Sequence, residues 1–503
     1  MGGYAMEIIK CEKLKFTYPL SSRPALNGVN FTIEDGEFCL VMGKSASGKS
    51  TLLKLLKKEI APAGTLDGTI CVNAFAGYVG QNIEENIVCN KVRSELAFAL
   101  TASGRTYDEI ETAIAETASY FHLENRLESD ISTLSGGEKQ IVNLAAVMIM
   151  RPEILILDEP TAQLDPIWSE KFLNIIKKLH KDFSTAVLIA EHNCKLLFEY
   201  ADSIVLLEDS ACANKKTPTQ MIKHLKDSNS TMLWDIPIGL HLFDKPCTMA
   251  QCRQLLKEKN IASLTVREST KKQAALSAKR LCFAYEKGRD ILKDLSIEVY
   301  EQKINAVVGP NGGGKTTLLK TLAGVRKSYR GKIKSTGKIS MLCQNVFDLF
   351  THDKCSEEVN FREITDFLQI SDIADIHPYD LSGGQAQRLA LAMVLEKNAD
   401  IILLDEPTKG LDSDLKIKLA GLLSDLCAKG KTILMVSHDI EFAGAYCDYI
   451  SFLSQGRIIT TRPRQTFFSN LNFYTTDISK LTNKIADNIV SYDDLRLAGG
   501  TDE

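Results

Sequence analysis

No stretch of eighteen or more apolar residues occurs in this 503-residue chain, so nothing in it reads as a bilayer-spanning helix. An excess of positive charge is missing too. Lys and Arg number 60 against 64 Asp and Glu, and a net charge of −4 gives no overall field to draw the chain onto nucleic acid or an anionic membrane. The opening MGGYAMEIIKCEKLKF has neither the basic region nor the apolar block of a secretory signal. Met6 stands where N-myristoylation expects Ser or Thr. There are 13 cysteines but no CxxC, and the closest pair, Cys247 and Cys252, has no His companion. They read as reduced thiols of a cytosolic protein, not as disulfides or metal ligands. At 44% hydrophobic and 25% charged, the composition is that of a soluble globular protein.

What is present is a duplication. GKSASGKST at Gly43–Thr51 returns as GPNGGGKTT at Gly309–Thr317. After the first come Gln81, LSGGEKQ (Leu134–Gln140), ILILDEP (Ile154–Pro160), LDP (Leu164–Pro166) and His192. After the second come Gln344, LSGGQAQ (Leu381–Gln387), IILLDEP (Ile401–Pro407), LDS (Leu411–Ser413) and His438. One glycine-rich loop is a weak lead; two, each trailed by the same motifs in the same order, define two ATPase domains head to tail. From Gln81 to Ser135 is 54 residues and from Gln344 to Ser382 only 38, so the second copy has a shorter insert between matching catalytic cores.

EFCLVMG, INAVVG, AVLIAEH and ILMVSH are short continuous apolar runs, as expected of strands buried on both faces of a mainly parallel sheet. The inserts read as helical: Ile110, Ile114, Ala118 and Phe121 share one face in the first, and SEEVNFREITDFLQISDIADI does the same work in the second. Residues 1–209 and 276–461 are assigned to the two ATPase domains. Residues 210–275 are assigned to an extension of the first domain plus a linker, and 462–503 to a C-terminal tail whose last residues read as disordered.

A GxxxxGK[ST] loop at a helix start surrounds phosphate oxygens with backbone N–H groups, where the helix dipole also favours anions. The candidate nucleotide-binding residues are Gly43, Ser45, Ser47, Gly48, Lys49, Ser50 and Thr51, and Gly309, Asn311, Gly313, Gly314, Lys315, Thr316 and Thr317. Lys49 and Lys315 reach the β- and γ-phosphates, and Ser50 and Thr316 offer hydroxyls to Mg²⁺. Lys44 and Ala46 stand where the second loop has Pro310 and Gly312; neither position donates a side chain, so binding is expected to survive. Asp158 and Asp405 end apolar strands and are placed to hold Mg²⁺, with Gln81 and Gln344 as further candidates. Glu159 and Glu406 are placed as general bases toward the attacking water, and His192 and His438 to contact the γ-phosphate.

The LSGGxxQ phrases resemble the signature of the ATP-binding cassette (ABC) superfamily, and with the other motifs the resemblance covers most of both halves. It implies an α/β fold: two P-loop NTPase domains in tandem, each a mainly parallel sheet with an antiparallel β part and a helical insert. In that family each ATP lies between one domain's loop and the partner's signature. Ser382, Gly383, Gly384 and Gln385 would then cap the ATP held by Lys49, and Ser135, Gly136, Gly137 and Glu138 the one held by Lys315. Tyr18 (FTY) and Tyr285 (FAY) resemble the family's adenine-stacking aromatic, and Asp165 and Asp412 its D-loop aspartates. Both halves keep a full catalytic set; Ile141 opposite the more usual Arg388 points to some asymmetry.

The segments YVGQNIEENIVCNKVRSELAFAL and MLCQNVFDLFTHDKCSEEVNF resemble energy-coupling-factor (ECF) transporter ATPases, where QN precedes acidic residues, an apolar patch and a V-x-x-E-hydrophobic helix. DIPIGLHLFDKPCTMAQCRQLL is similar to the C-terminal extension of those ATPases, and FFSNLNFYTTDISKL to fused double-domain versions. The resemblance implies the ATP- and Mg²⁺-dependent energising pair of a prokaryotic vitamin or metal-ion importer, peripheral on the cytoplasmic face of the membrane. Its partners would be a transmembrane coupling subunit and a substrate-capture membrane subunit, with no nucleic acid. The alternatives are another importer ATPase, such as a sugar transporter's, or a soluble tandem ABC protein acting on the ribosome. The latter usually has a long, strongly charged linker; here Pro218, Pro237 and Pro246 interrupt a mixed one.

Overall fold

The computed structural model describes residues 6–500 apart from 20, 22, 192–193, 209–210, 229, 244–247, 260, 267–272, 287, 361–362, 382 and 473. The chain divides into two units, Met1–Pro237 and Ile238–Glu503.

In the first unit, β1 (Glu7–Thr17), β2 (Leu26–Glu34) and β4 (Thr65–Val72) form an antiparallel sheet in the order β2-β1-β4. β3 (Phe38–Gly43), β5 (Ala76–Val79), β6 (Ile154–Asp158), β7 (Ala186–Ala190), β8 (Ser203–Glu208) and β9 (Ala211–Lys216) form a second sheet, β5-β6-β7-β3-β8-β9. All its pairings are parallel except β8 with β9. Every residue of β3, β6 and β7 is buried, which is why these strands read as unbroken apolar runs and not as alternating ones. Leu52 and Leu53 of the helix Lys49–Leu55 join both sheets in one apolar cluster.

The second unit repeats the plan. β10 (Ala274–Ala284), β11 (Asp290–Tyr300) and β13 (Arg330–Ser335) form β11-β10-β13. β12 (Ile304–Val308), β14 (Ile339–Leu342), β15 (Ile401–Asp405), β16 (Thr432–Val436), β17 (Tyr449–Ser454) and β18 (Arg457–Pro463) form β14-β15-β16-β12-β17-β18, with β18 antiparallel. This is the expected α/β tandem.

The inserts differ in kind as well as length. Helix Tyr107–Phe121 starts at a capping box between Thr106 and Glu109 and buries Ile114, Ala118 and Phe121. The second insert, expected to be mostly helical, has among its described residues the short α-helices Cys355–Glu358 and Glu363–Phe367 and three single 3-10 turns.

Residues 211–227 stay with the first unit, where β9 pairs with β8 and helix Pro218–Asp227 follows. From Ile238 onward the segment belongs to the second unit. Cys252, Leu256 and Ile261 share a core with Ile478, Leu481, Ile489 and Leu495. The C-terminal residues up to Gly500 are thus a packed layer and not a loose tail; Leu495 is fully buried and its carbonyl accepts from the Gly500 N–H. Residues 501–503, Cys247 and the side chain of Cys212 lie outside what is described, and the other eleven of the 13 cysteines are free thiols.

Candidate active site

Each glycine-rich loop joins the end of a buried central strand to a helix, β3 to Lys49–Leu55 and β12 to Lys315–Leu322. Gly48 and Gly314 start the helices in the left-handed region at φ 95° and 98°, and a Cβ on Gly48 would sit 2.5 Å from the Ala25 carbonyl oxygen. Lys49 is buried and donates to the carbonyls of Gly43 (2.9 Å) and Lys44 (3.0 Å). Lys315 does the same with Gly309 (2.9 Å) and Pro310 (3.0 Å). Both ammonium groups are thus anchored inside their own loops by backbone carbonyls. The Ser47 hydroxyl is buried there without a hydrogen-bond partner, an orphan that a phosphate oxygen would satisfy.

Parallel register brings the carboxylates beside these loops. Asp158 pairs with Ala190, and Asp405 with Val436, at the ends of neighbouring strands. Asp158 accepts from the Ser50 hydroxyl (2.9 Å) and the Tyr78 hydroxyl (3.2 Å). Burial, and then the neighbouring Glu159, raise its carboxyl to about 6. Glu159 accepts from the Gln81 amide (2.9 Å) and lies 4.0 Å from the Lys49 ammonium. In the second unit Asp405 is buried, and the Thr316 hydroxyl lies 3.5 Å from the Gln344 carbonyl oxygen. Burial raises Asp405, against the opposing pull of Thr316, Lys320 and Lys315. Hydroxyl, carboxylate and amide oxygens converging this way are a hard-oxygen set that suits Mg²⁺.

Glu406 accepts from the His438 backbone N–H (3.1 Å), and its other oxygen lies 3.3 Å from the His438 ring nitrogen Nε2. Burial pushes Glu406 up to about 7, while burial, then Lys315 and Lys409, push His438 down to about 3, so its imidazole is neutral. Both glutamates adopt positive φ, 46° at Glu159 and 53° at Glu406, a conformation that non-glycine residues hold where surrounding contacts impose it. His192 and Ser382 lie outside the described residues.

The signature serine Ser135 caps the helix Gly136–Met148 in a capping box with Glu138. Gly137 is required because a Cβ there would meet the Trp168 ring at 2.3 Å. Gln140 donates to the Pro160 carbonyl (2.9 Å) and Gln387 to the Glu406 carbonyl (3.2 Å), tying each signature helix to its unit's carboxylate turn. Asp165 and Asp412 are buried helix N-caps, accepting from the N–H groups of Trp168 and Leu415 at 2.9 Å. Tyr18 and Tyr285 are anchored to the loop threonines through their hydroxyls, at 3.0 Å from Thr51 and 3.3 Å from Thr317. The two residues are 39% and 57% exposed and their rings rest edge-on against Phe16 and Phe283, so neither belongs to the core.

Two residues escaped the sequence reading. Tyr78, three positions before Gln81, reaches Asp158 where the second unit has Met341. Glu191, just before His192, accepts from the backbone N–H and the hydroxyl of Thr161.

Glycine-rich loops at strand ends, buried carboxylates and a doubled α/β core define a two-domain P-loop ATPase. The model of the ABC transporter family matches residues 26–162 and 292–409, one stretch in each unit. The chain is 34% identical to the "Putative ABC transporter ATP-binding protein//BAS3118" of Bacillus anthracis, over 96% of this chain and 97% of that one. It therefore belongs to the ABC transporter family and is a tandem ABC ATPase. It is also 28% identical to the "Putative HMP/thiamine import ATP-binding protein YkoD" of Bacillus subtilis, over 92% of each chain. Among solved structures it is similar in fold to an archaeal ribosome recycling factor in complex with a ribosomal stalk protein. There the TM-score is 0.62 at 22% identity, covering 91% of each chain.

Proposed function

We propose that the chain supplies both nucleotide-binding halves of an ECF-type importer for a vitamin or metal ion. Acting at the cytoplasmic face of a prokaryotic membrane, it drives a transmembrane coupling subunit and a substrate-capture subunit by ATP hydrolysis. One observation carries this reading. In both units the segment after the site glutamine is pinned by a buried glutamate at matching positions. Glu95 accepts from the N–H groups of Val88 (3.1 Å) and Cys89 (2.6 Å). Glu358, its side chain 1% exposed, accepts from those of Thr351 and His352. A buried charge spent on each loop gives a fixed shape to segments that start at Gln81 and Gln344, and in the first unit leaves Val88 63% exposed as an apolar contact. The relative named for HMP/thiamine import supports the same direction.

In this reading Lys49 and Lys315 hold phosphates while the loop N–H groups and helix N-termini complete the anion site. Tyr18 and Tyr285 stack on adenine. Glu159 and Glu406 polarise the attacking water, with neutral His438 oriented by Glu406. Ser50, Gln81 and Asp158, and Thr316, Gln344 and Asp405, would hold Mg²⁺, which when bound neutralises the charge developing on phosphate.

Glu159→Gln with Glu406→Gln should trap ATP and stop turnover; undiminished hydrolysis rules the assignment out. Pull-down from native membranes should recover small hydrophobic proteins, and Val88→Asp should weaken that recovery. Ribosomes in their place would favour the translation-factor alternative.

A further inference from the structure

The two units carry the same turn, Asp158–Thr161 and Asp405–Thr408, but fasten it differently. In the first, one carboxylate oxygen of Glu191, 4% exposed, accepts both the backbone N–H of Thr161 (3.0 Å) and its hydroxyl (2.7 Å). In the second, Ser437 stands in that place. Its hydroxyl lies 3.4 Å from the Thr408 hydroxyl and also accepts the Asp439 N–H at 3.0 Å. Two hydrogen bonds to one carboxylate oxygen thus stand in the first unit where the second has a long contact between neutral groups. A bond to an ionised carboxylate is roughly twice as strong as one between neutral groups.

The turn is where this difference matters. It follows the strained backbone of Glu159, and strain persists only where the surroundings impose it. In the second unit the base is held through its side chain, by the N–H of His438 at 3.1 Å. In the first unit, among the described residues, the Glu159 side chain accepts from Gln81, and the backbone two residues on is locked to the end of β7 by Glu191.

We propose that Glu191 is a positioning residue for hydrolysis in the first unit alone, setting the placement of Glu159 by clamping Thr161. Turnover at the first site then depends on residue 191, while turnover at the second does not depend on residue 437. This rests on Glu159 and Glu406 being the bases.

The test uses the full chain with one site silenced. In the Glu406→Gln chain, Glu191→Ala lowers the remaining kcat by about ten-fold or more with KM for ATP within about two-fold, and Glu191→Gln, which keeps the accepting oxygen, restores kcat to within about three-fold. In the Glu159→Gln chain, Ser437→Ala changes kcat by less than about three-fold. Amide hydrogen exchange needs no turnover and judges the clamp directly: at Thr161 it speeds up about ten-fold or more in Glu191→Ala and not in Glu191→Gln. Unchanged exchange at Thr161, or a Gln variant as impaired as the Ala variant, overturns the proposal. Persisting hydrolysis in the Glu159→Gln, Glu406→Gln chain overturns the assignment of the bases instead, and the exchange result still decides the clamp.

Discussion

Replacing Asp494 by Ala should unfold the second unit at milder conditions and leave the first untouched. Asp494 is 3% exposed and takes both arms of the Arg464 guanidinium, at 2.9 and 3.0 Å. It also accepts the N–H groups of Val490 (3.2 Å) and Ser491 (3.0 Å), closing the capping box of helix Tyr492–Leu497. Removing one partner of a buried pair typically costs 3–5 kcal/mol. Arg464 keeps the Gly444 carbonyl and is 18% exposed, so the low end, about 3 kcal/mol, is expected. For a unit of this size that corresponds to a drop in Tm of about 6–12 °C. The chain's two tryptophans, Trp168 and Trp234, both lie in the first unit, so their emission follows that unit while far-UV circular dichroism follows both. The dichroism transition should split or shift down while the tryptophan transition holds its midpoint. A dichroism shift worth less than about 1 kcal/mol would refute the structural role given to the C-terminal layer. Equal movement of both signals would refute independent unfolding of the units.

Three further outcomes are expected. Ala46 sits at φ 62° where the second loop has Gly312 at φ 72°; Ala46→Gly should stabilise the first loop, and Gly312→Ala destabilise the second, each by about 1 kcal/mol, read from nucleotide-free melting. Tyr285→Ala should weaken ATP binding at the second site by about 1–3 kcal/mol while leaving pyrophosphate affinity unchanged, measured by titration calorimetry in a chain lacking Lys49. With its carboxyl raised from the ordinary 3.8 to about 6, Asp158 binds its proton more tightly in the folded state. Its contribution to stability is full below about pH 4 and is lost as pH rises through about 6, a fall of about 3 kcal/mol. Asp158→Asn should flatten that slope, and Mg²⁺ with nucleotide should stabilise the parent more at pH 7 than at pH 5.

What could be read from the sequence was local or linear. The apolar runs became β3, β7, β12 and β16 because a strand buried on both faces needs no partner pattern to declare itself. Helix Tyr107–Phe121 carried its own start signal in Thr106 and Glu109. The second insert reads as helical in sequence, yet its helix Cys355–Glu358 stops after one turn where the matching helix of the first unit, Val92–Ala102, runs on. The spacing of Cys252 and Leu256 announced a buried face but not what covers it; Leu481 and Leu495 lie more than 220 residues on. That distance is why residues 210–275 read in sequence as an extension of the first domain plus a linker. Glu191 was hidden for a related reason. A carboxylate at a strand end has no motif of its own, and its role arises only when the parallel register of β6 and β7 sets it beside Thr161. Duplication makes such residues findable: where Glu191 corresponds to Ser437, or Tyr78 to Met341, in otherwise matching frames, the mismatch marks where two similar sites are fastened differently.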